Sequence, residues 1–240
     1  MADPVHIKEV IRPADQGLSR PYLCRSFSDD LYYVKGRNTA PDSMYKEWGC
    51  AHLARSLNLP MPDFSLVELD PALVEALPPE LADIGAGLAF GSKAIRRAAW
   101  FEQASVSSIL KTLQRRVVAF DWWIQNLDRS IYNSNLLLDE GSLVVIDHNN
   151  AFDTDFDPQQ FIQQHIFADE GRNLFSDYIE RDAIQNEFRQ LVPVFSKAIA
   201  ETPEEWKWYD SDATVPSNFD APHCERVIKR CIDSGFWDIK

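Results

Sequence analysis

The sequence has no apolar run approaching the ~20 residues that a membrane-spanning helix needs. Residues 1–13 carry Asp3, His6, Lys8 and Glu9 and no apolar stretch, so a secretory leader is not expected there. The four cysteines, Cys24, Cys50, Cys224 and Cys231, show no C-x-x-C or zinc spacing. Free thiols in a reducing cytoplasm follow from that. Basic residues are in short supply: 24 Lys and Arg stand against 37 Asp and Glu, a formal net charge of −13 over 240 residues. Such a chain repels phosphate backbones, which argues against general nucleic-acid binding. Nucleotides are not excluded, because a metal ion can bridge phosphates to carboxylates. Neither internal repeats nor low-complexity tracts occur.

What is present is a globular composition, 45% apolar and 25% charged. β-Propensity and alternation predict strands at 5–10, 22–26, 31–35 and 64–69. Apolar residues at helical spacing predict a helix over 44–57, stopped by Pro60 and Pro62. Residues 70–91 are richer in proline and glycine and read as a linker. A helix over 106–126 follows. Two strands, 135–138 and 143–146, flank an Asp139-Glu140-Gly141 turn. Beyond Pro158 helical patterns dominate, 179–200 being the most periodic; 206–222 reads as loop and 224–231 as a terminal helix. The expected class is therefore α+β, with a small β-rich lobe, a larger helical lobe, and ligands in the cleft of such a two-lobed enzyme.

Chemistry concentrates in residues 121–150. Asp128 is followed five positions later by Asn133, then by a hairpin, then by Asp147 at the end of the apolar strand Leu143-Val-Val-Ile146. Phosphoryl transfer needs these groups: a carboxylate to orient a hydroxyl and accept its proton, and an amide oxygen and second carboxylate to hold magnesium. The D-x-x-x-x-N spacing alone is common; with the strand-end Asp147 it becomes more specific. Lys35 ends an apolar strand, where it suits nucleotide phosphates, and Glu47 on the next helix is a fitting partner. The turn at 16–21 sits where a phosphate-covering loop belongs.

The chain resembles the HipA-like kinases, in their short single-module form. The resemblance rests on Gly17-Leu-Ser-Arg-Pro-Tyr22, Tyr33-Val-Lys35, Glu47, Ala51-His-Leu-Ala-Arg55, Leu59-Pro-Met-Pro62, Ala89-Phe-Gly91-Ser92, the Asn126-Leu-Asp128-Arg129 to Asn133 loop and Ile146-Asp147-His148. It covers most of residues 5–155; the tail matches only in helical character. It implies one two-lobed protein-kinase-like domain over 1–240, with an N-lobe to about residue 90, a hinge near 88–93 and a C-lobe from about 94. Mg²⁺ and ATP are the implied cofactors. Lys35 would contact phosphates with Glu47 as partner, Gly17 and Ser19 would belong to the phosphate loop, Phe90 and Gly91 would line the adenine side, Asp128 would be the base, and Asn133 and Asp147 would hold Mg²⁺. Relatives phosphorylate Ser or Thr of proteins, and some are toxins, so a protein substrate and an antitoxin-type protein partner are implied.

The glycine loop here has the single Gly17, Arg129-Ser130 follows the Asp where longer relatives have histidine, and His148 replaces the Phe-Gly of ordinary protein kinases. These departures leave substrate class open. A Ser/Thr protein kinase, a small-molecule phosphotransferase and a non-catalytic kinase-like module are the three readings; retention of Lys35, Asp128, Asn133 and Asp147 favours activity. Asn135 reads as a turn residue. His148 reads as a structural hydrogen-bonder, the acids at 153, 155 and 157 as a solvated loop, and the tryptophans as packing residues.

Overall fold

The computed structural model describes residues 3–14 and 20–239. Gly17 and Ser19, assigned to the phosphate loop, lie outside the described residues. The chain forms two compact units: residues 1–48, 62–96 and 201–219, and residues 49–61, 97–200 and 220–240.

The first unit is a closed barrel of β1 (Val5–Pro13), β2 (Tyr22–Ser26), β3 (Leu31–Lys35), β4 (Phe64–Leu69) and β5 (Gly87–Lys93), in the order β1-β2-β3-β5-β4. All pairs are antiparallel except β1 with β4, where Val5 meets Val67 and His6 meets Glu68. That parallel pair removes the exposed edges that an open sheet would carry. Alternation sends Ile7, Val10, Tyr22, Cys24, Tyr32, Val34, Val67, Leu69 and Ala89 into one core.

Residues 70–91 are not a linker. They hold α2 (Pro71–Glu75), capped by the Asp70 carboxylate on the Ala72 N–H at 2.7 Å, then a 3-10 turn and most of β5. The stretch implied as a hinge, 88–93, lies within the barrel strand β5, and its residues 90–92 are paired on both sides. At Gly91 a Cβ would collide with Val67 Cγ1, a close approach that only glycine permits.

Residues 201–219, expected with the helical part, belong to the barrel unit. The Trp206 indole donates to the Leu88 carbonyl at 2.8 Å, and the Glu205 carboxylate accepts the Leu88 N–H. Leu88 lies beyond the reach of β3, whose pairing with β5 ends at Lys35–Phe90. The strap thus satisfies main-chain groups that no strand covers. Tyr45 stacks on Phe219 at 4.3 Å and meets Trp206 edge-on at 5.7 Å.

α1 (Pro41–Ser56) gives its first half to this unit and its second half to the other. It stops before Pro60 and Pro62. Asn58 adopts φ 54°, with Leu59 N–H bonded to Ala54 O at 3.0 Å and Asn58 N–H to Arg55 O at 3.0 Å. This is a left-handed cap in which asparagine stands for glycine.

The second unit is built around α3 (Lys111–Trp123), shorter than expected because residues 103–108 form a 3-10 turn instead. A three-stranded sheet holds β6 (Ala98–Trp100), β7 (Leu136–Asp139) and β8 (Ser142–Val145). The sequence reading missed β6. The β7–β8 turn, Glu140-Gly141, has φ 48° and 88°, the positive pair that a two-residue hairpin requires. α4 (Pro158–Gln164), α5 (Ala168–Ser176), α6 (Tyr178–Ala200) and α7 (Ala221–Lys229) complete the unit. Trp122 and Trp123 of α3 are fully buried, and their indoles donate to Phe236 O at 2.9 Å and Ile228 O at 2.8 Å. The C-terminal segment therefore locks α3 by satisfying its buried donors.

Candidate active site

The Asp128 loop begins where α3 ends. Gln125 takes φ 50°; Asn126 N–H reaches back to Asp121 O at 2.9 Å and Gln125 N–H to Trp122 O at 3.4 Å. This is a Schellman turn with glutamine at the left-handed position. It directs the chain away from the helix at Asn126.

Asp121 then organises the loop from beneath. Its Oδ1 accepts the Asn126 amide at 3.0 Å; its Oδ2 accepts Arg129 Nε at 2.8 Å and His165 Nε2 at 3.0 Å. His165 Nδ1 accepts the Phe167 N–H at 3.0 Å, so the imidazole proton sits on Nε2. Asp121 and Arg129 are 0% exposed. Arg129 Nη1 donates to the carbonyls of Asn135 and, at 3.1 Å, Ile146. One buried guanidinium thereby ties the far end of the loop to the residue before Asp147. A buried ion of this kind is tolerable only with its partners in place.

On this base Asp128 holds a carboxylate gripped by three amides. Asn133 Nδ2 donates to Oδ1 at 3.0 Å; Asn135 and Asn150 donate to Oδ2 at 2.8 and 3.1 Å. The Asn126 side chain accepts the Asp128 N–H at 3.2 Å. Asp128 pairs with neither Arg129 nor Arg116, the latter being bound to Glu187. Asn135, expected as a plain turn residue, is buried at φ 46° and orients Asp128. Asp147 adopts φ 57° and its Oδ1 accepts the Asn149 N–H at 3.4 Å. The following turn is fastened to the end of α3 by Phe152 N–H on Ile124 O at 2.7 Å and Asp153 N–H on Gln125 O at 3.2 Å. Left-handed backbone at Gln125, Asn135, Asp147 and Phe152, none of them glycine, clusters around the loop. Such strain is held only where surroundings over-determine it.

His148 is buried with its ring edge-on to Phe120 at 5.6 Å. Of the acids after it, Asp157 caps α4 through Gln159 and Gln160 N–H, and Asp153 accepts the Asp155 N–H at 2.9 Å.

In the barrel unit, Lys35 and Glu47 are buried and form an ion pair. Phe90 is the cross-strand partner of Lys35 and stacks on Phe64 at 6.0 Å. Gly91 pairs with Val34 on one side and Ser65 on the other, and its Cα faces Val67. It serves close packing against Val67.

Among the described residues no cluster of three or more His, Cys, Asp and Glu is present. Magnesium does not need one, since it keeps waters and takes phosphate oxygens beside one or two protein ligands. The Asn133 amide has its nitrogen on Asp128, which leaves its oxygen for a hard cation. With the Asp147 carboxylate in the adjoining turn, the donor chemistry fits Mg²⁺.

Burial pushes the His165 pKa below its ordinary value, and the Asp121 bond only partly offsets this. Burial opposes ionisation of Asp121 too, but the Arg129 charge and the His165 bond prevail and hold it below the usual carboxylate range. Both groups bind more protons unfolded than folded, so both contribute stability that is lost on acidification. For His165 the loss begins as pH falls through the ordinary histidine value of about 6.5; for Asp121 it begins in the carboxylate range. His165→Gln is expected to flatten the decline in denaturation midpoint between pH 7.5 and 5.5 relative to the parent chain. Equal declines in the two proteins would show that His165 is not held neutral.

Asp121, Asn126, Arg129, Asn135, Asn150 and His165 were missed as site residues. One signal was available: Asp121 interrupts the apolar run Val117-Val-Ala-Phe-Asp-Trp-Trp-Ile124, and a carboxylate there has to be paired.

The β-rich N-terminal part and the helical remainder make the molecule an α+β protein. Among solved structures it is similar to a proinflammatory kinase, CtkA, of Helicobacter pylori, with a TM-score of 0.50 and 11% identity over 98% of this chain and 94% of that one. The model of the HipA-like kinase family matches residues 7–240, and the chain belongs to that family of kinases. No curated protein matches it. Among the described residues no helix is long and apolar enough to cross a membrane.

Proposed function

We propose that this protein is an ATP- and Mg²⁺-dependent kinase that transfers the γ-phosphoryl group to a Ser or Thr hydroxyl of a protein. The observation that carries the reading is the Asp128 carboxylate, oriented by three asparagine amides on a loop fixed through Arg129. Asp128 aligns the acceptor hydroxyl and takes its proton as the hydroxyl oxygen bonds to the γ-phosphorus. The bond from that phosphorus to the β,γ-bridging oxygen breaks, and ADP leaves with the electron pair. Lys35, steadied by Glu47, contacts the nucleotide phosphates, with Phe90 on the nucleotide side. Asn133 and Asp147 hold Mg²⁺. When bound, Mg²⁺ neutralises phosphate charge.

The test is label transfer from γ-labelled ATP into a cell extract, with the chain beside Asp147→Asn. The parent chain is expected to label a protein band when Mg²⁺ is present. In Asp147→Asn the band is expected to vanish, and Mg²⁺ no longer strengthens ATP binding in calorimetry. Normal Mg²⁺ promotion of ATP binding in the variant would remove Asp147 from the metal site. ATP consumption only with a small-molecule fraction would replace the protein acceptor by a small molecule.

A further inference from the structure

Two large apolar side chains stand in the open within the Asp128 loop itself. Tyr132 is 82% exposed and Ile131 41% exposed, and both lie between Asp128 and Asn133. A scattered exposed apolar residue needs no explanation. These two differ in that their backbone is held by hydrogen bonds. Ser130 Oγ accepts the N–H groups of Tyr132 at 3.2 Å and Asn133 at 3.3 Å. Ser130 N–H bonds to Asp128 O at 2.8 Å and Asn133 O at 2.9 Å, and Ile131 N–H bonds to Gln164 O at 2.9 Å. Ser130 also pairs with His165, the buried ligand of Asp121. The loop therefore presents both side chains to solvent on a backbone tied by hydrogen bonds on either side of them.

We infer that Tyr132 and Ile131 form an apolar contact for the residue flanking the acceptor hydroxyl, and so set substrate sequence preference. The inference rests on the protein-kinase reading above. Asn133 Nδ2 on Asp128 Oδ1 at 3.0 Å closes the loop on itself, so a hydroxyl that reaches Asp128 has the four intervening residues beside it for its neighbours in the peptide. Of those, Arg129 and Ser130 are buried, so only Ile131 and Tyr132 are available to be touched. A tyrosine held on a fixed backbone supplies a large contact area at little entropic cost, as aromatic anchors do in other recognition surfaces. The occupant fitted to that surface is an apolar side chain one or two positions from the Ser or Thr.

The experiment is a positional-scanning library of serine peptides phosphorylated with γ-labelled ATP and Mg²⁺ by the full chain, Tyr132→Ala and Tyr132→Glu. The parent chain is expected to favour Leu, Ile, Phe or Met at a flanking position. Tyr132→Ala is expected to lower kcat/KM for the best such peptide about tenfold, through the peptide KM, which corresponds to about 1.4 kcal/mol. The KM for ATP stays unchanged. Tyr132→Glu is expected to shift the preference to Lys or Arg, which loss of structure would not do. A flanking preference that survives both substitutions, or no preference in the parent chain, overturns the inference and leaves the protein-kinase reading standing. A parent chain that labels neither the library nor any protein in an extract overturns both. A rise in the ATP KM without change in peptide preference would assign Tyr132 to the nucleotide and overturn the inference alone.

Discussion

Asp128→Asn is expected to reduce label transfer by about 10²- to 10⁴-fold, the range for loss of a positioned general base. The substitution preserves shape, so folding is expected to survive it. It does not preserve hydrogen-bond chemistry. The Asp128 carboxylate has two acceptor oxygens facing three amide NH₂ groups, from Asn133 on one side and Asn135 and Asn150 on the other. An asparagine at 128 has one oxygen and one NH₂, so on one side donor meets donor. Asn133 is the freer of the neighbours, being exposed where Asn135 is buried. It is therefore expected to turn its oxygen toward the new amide. That oxygen is the one assigned to the cation, so Mg²⁺ affinity falls along with turnover. Initial rates and a Mg²⁺ titration of nucleotide binding measure both effects. Unchanged turnover would remove the base assignment. Lost turnover with unchanged Mg²⁺ dependence would keep the base and refute the amide reorientation.

Asp121→Asn is expected to cost about 3–5 kcal/mol of stability, the usual penalty for leaving one partner of a buried ion pair alone. Arg129 has no solvent access, and its remaining acceptors are the neutral carbonyls of Asn135 and Ile146. The measurement is denaturant unfolding followed by tryptophan fluorescence, since Trp122 and Trp123 adjoin Asp121 on α3. The double variant Asp121→Asn, Arg129→Met is expected to be less destabilised than the sum of the two single variants, because it removes the orphaned charge. Additive losses would show that charge pairing is not what Asp121 contributes. Activity adds a second readout: the single variant loosens the carbonyls that link Asn135 to Ile146, and so the spacing of Asp128 from Asp147.

Most elements were legible from local pattern, because their signals are local. β2, β3 and β4 follow from β-branched and aromatic alternation, the β7–β8 hairpin from its Glu-Gly turn, and α6 from its apolar period. The Asp128–Asn133 interval and the strand-end Asp147 were readable for the same reason: the loop carrying them is short. The Lys35–Glu47 pair is legible because a strand end and the next helix are close in sequence, and the structure joins them in an ion pair.

β5 was concealed because its glycines looked like linker composition. Only the approach of Val67 to Gly91 shows that the glycine fills a packing need. Barrel closure through β1 and β4 joins residues some sixty positions apart, as Val5 meets Val67. The support of the site is likewise non-local, with His165 reaching Asp121 and Asn150 reaching Asp128. Neighbouring residues alone carry most of the elements, the Asp128–Asn133 spacing and the family resemblance. Which strands close the barrel, which strap finishes β5 and which buried groups hold the Asp128 loop emerge only from long-range packing. Those outcomes arise from desolvated polar groups finding partners across long stretches of chain, and a partner's position in sequence does not reveal its position in space.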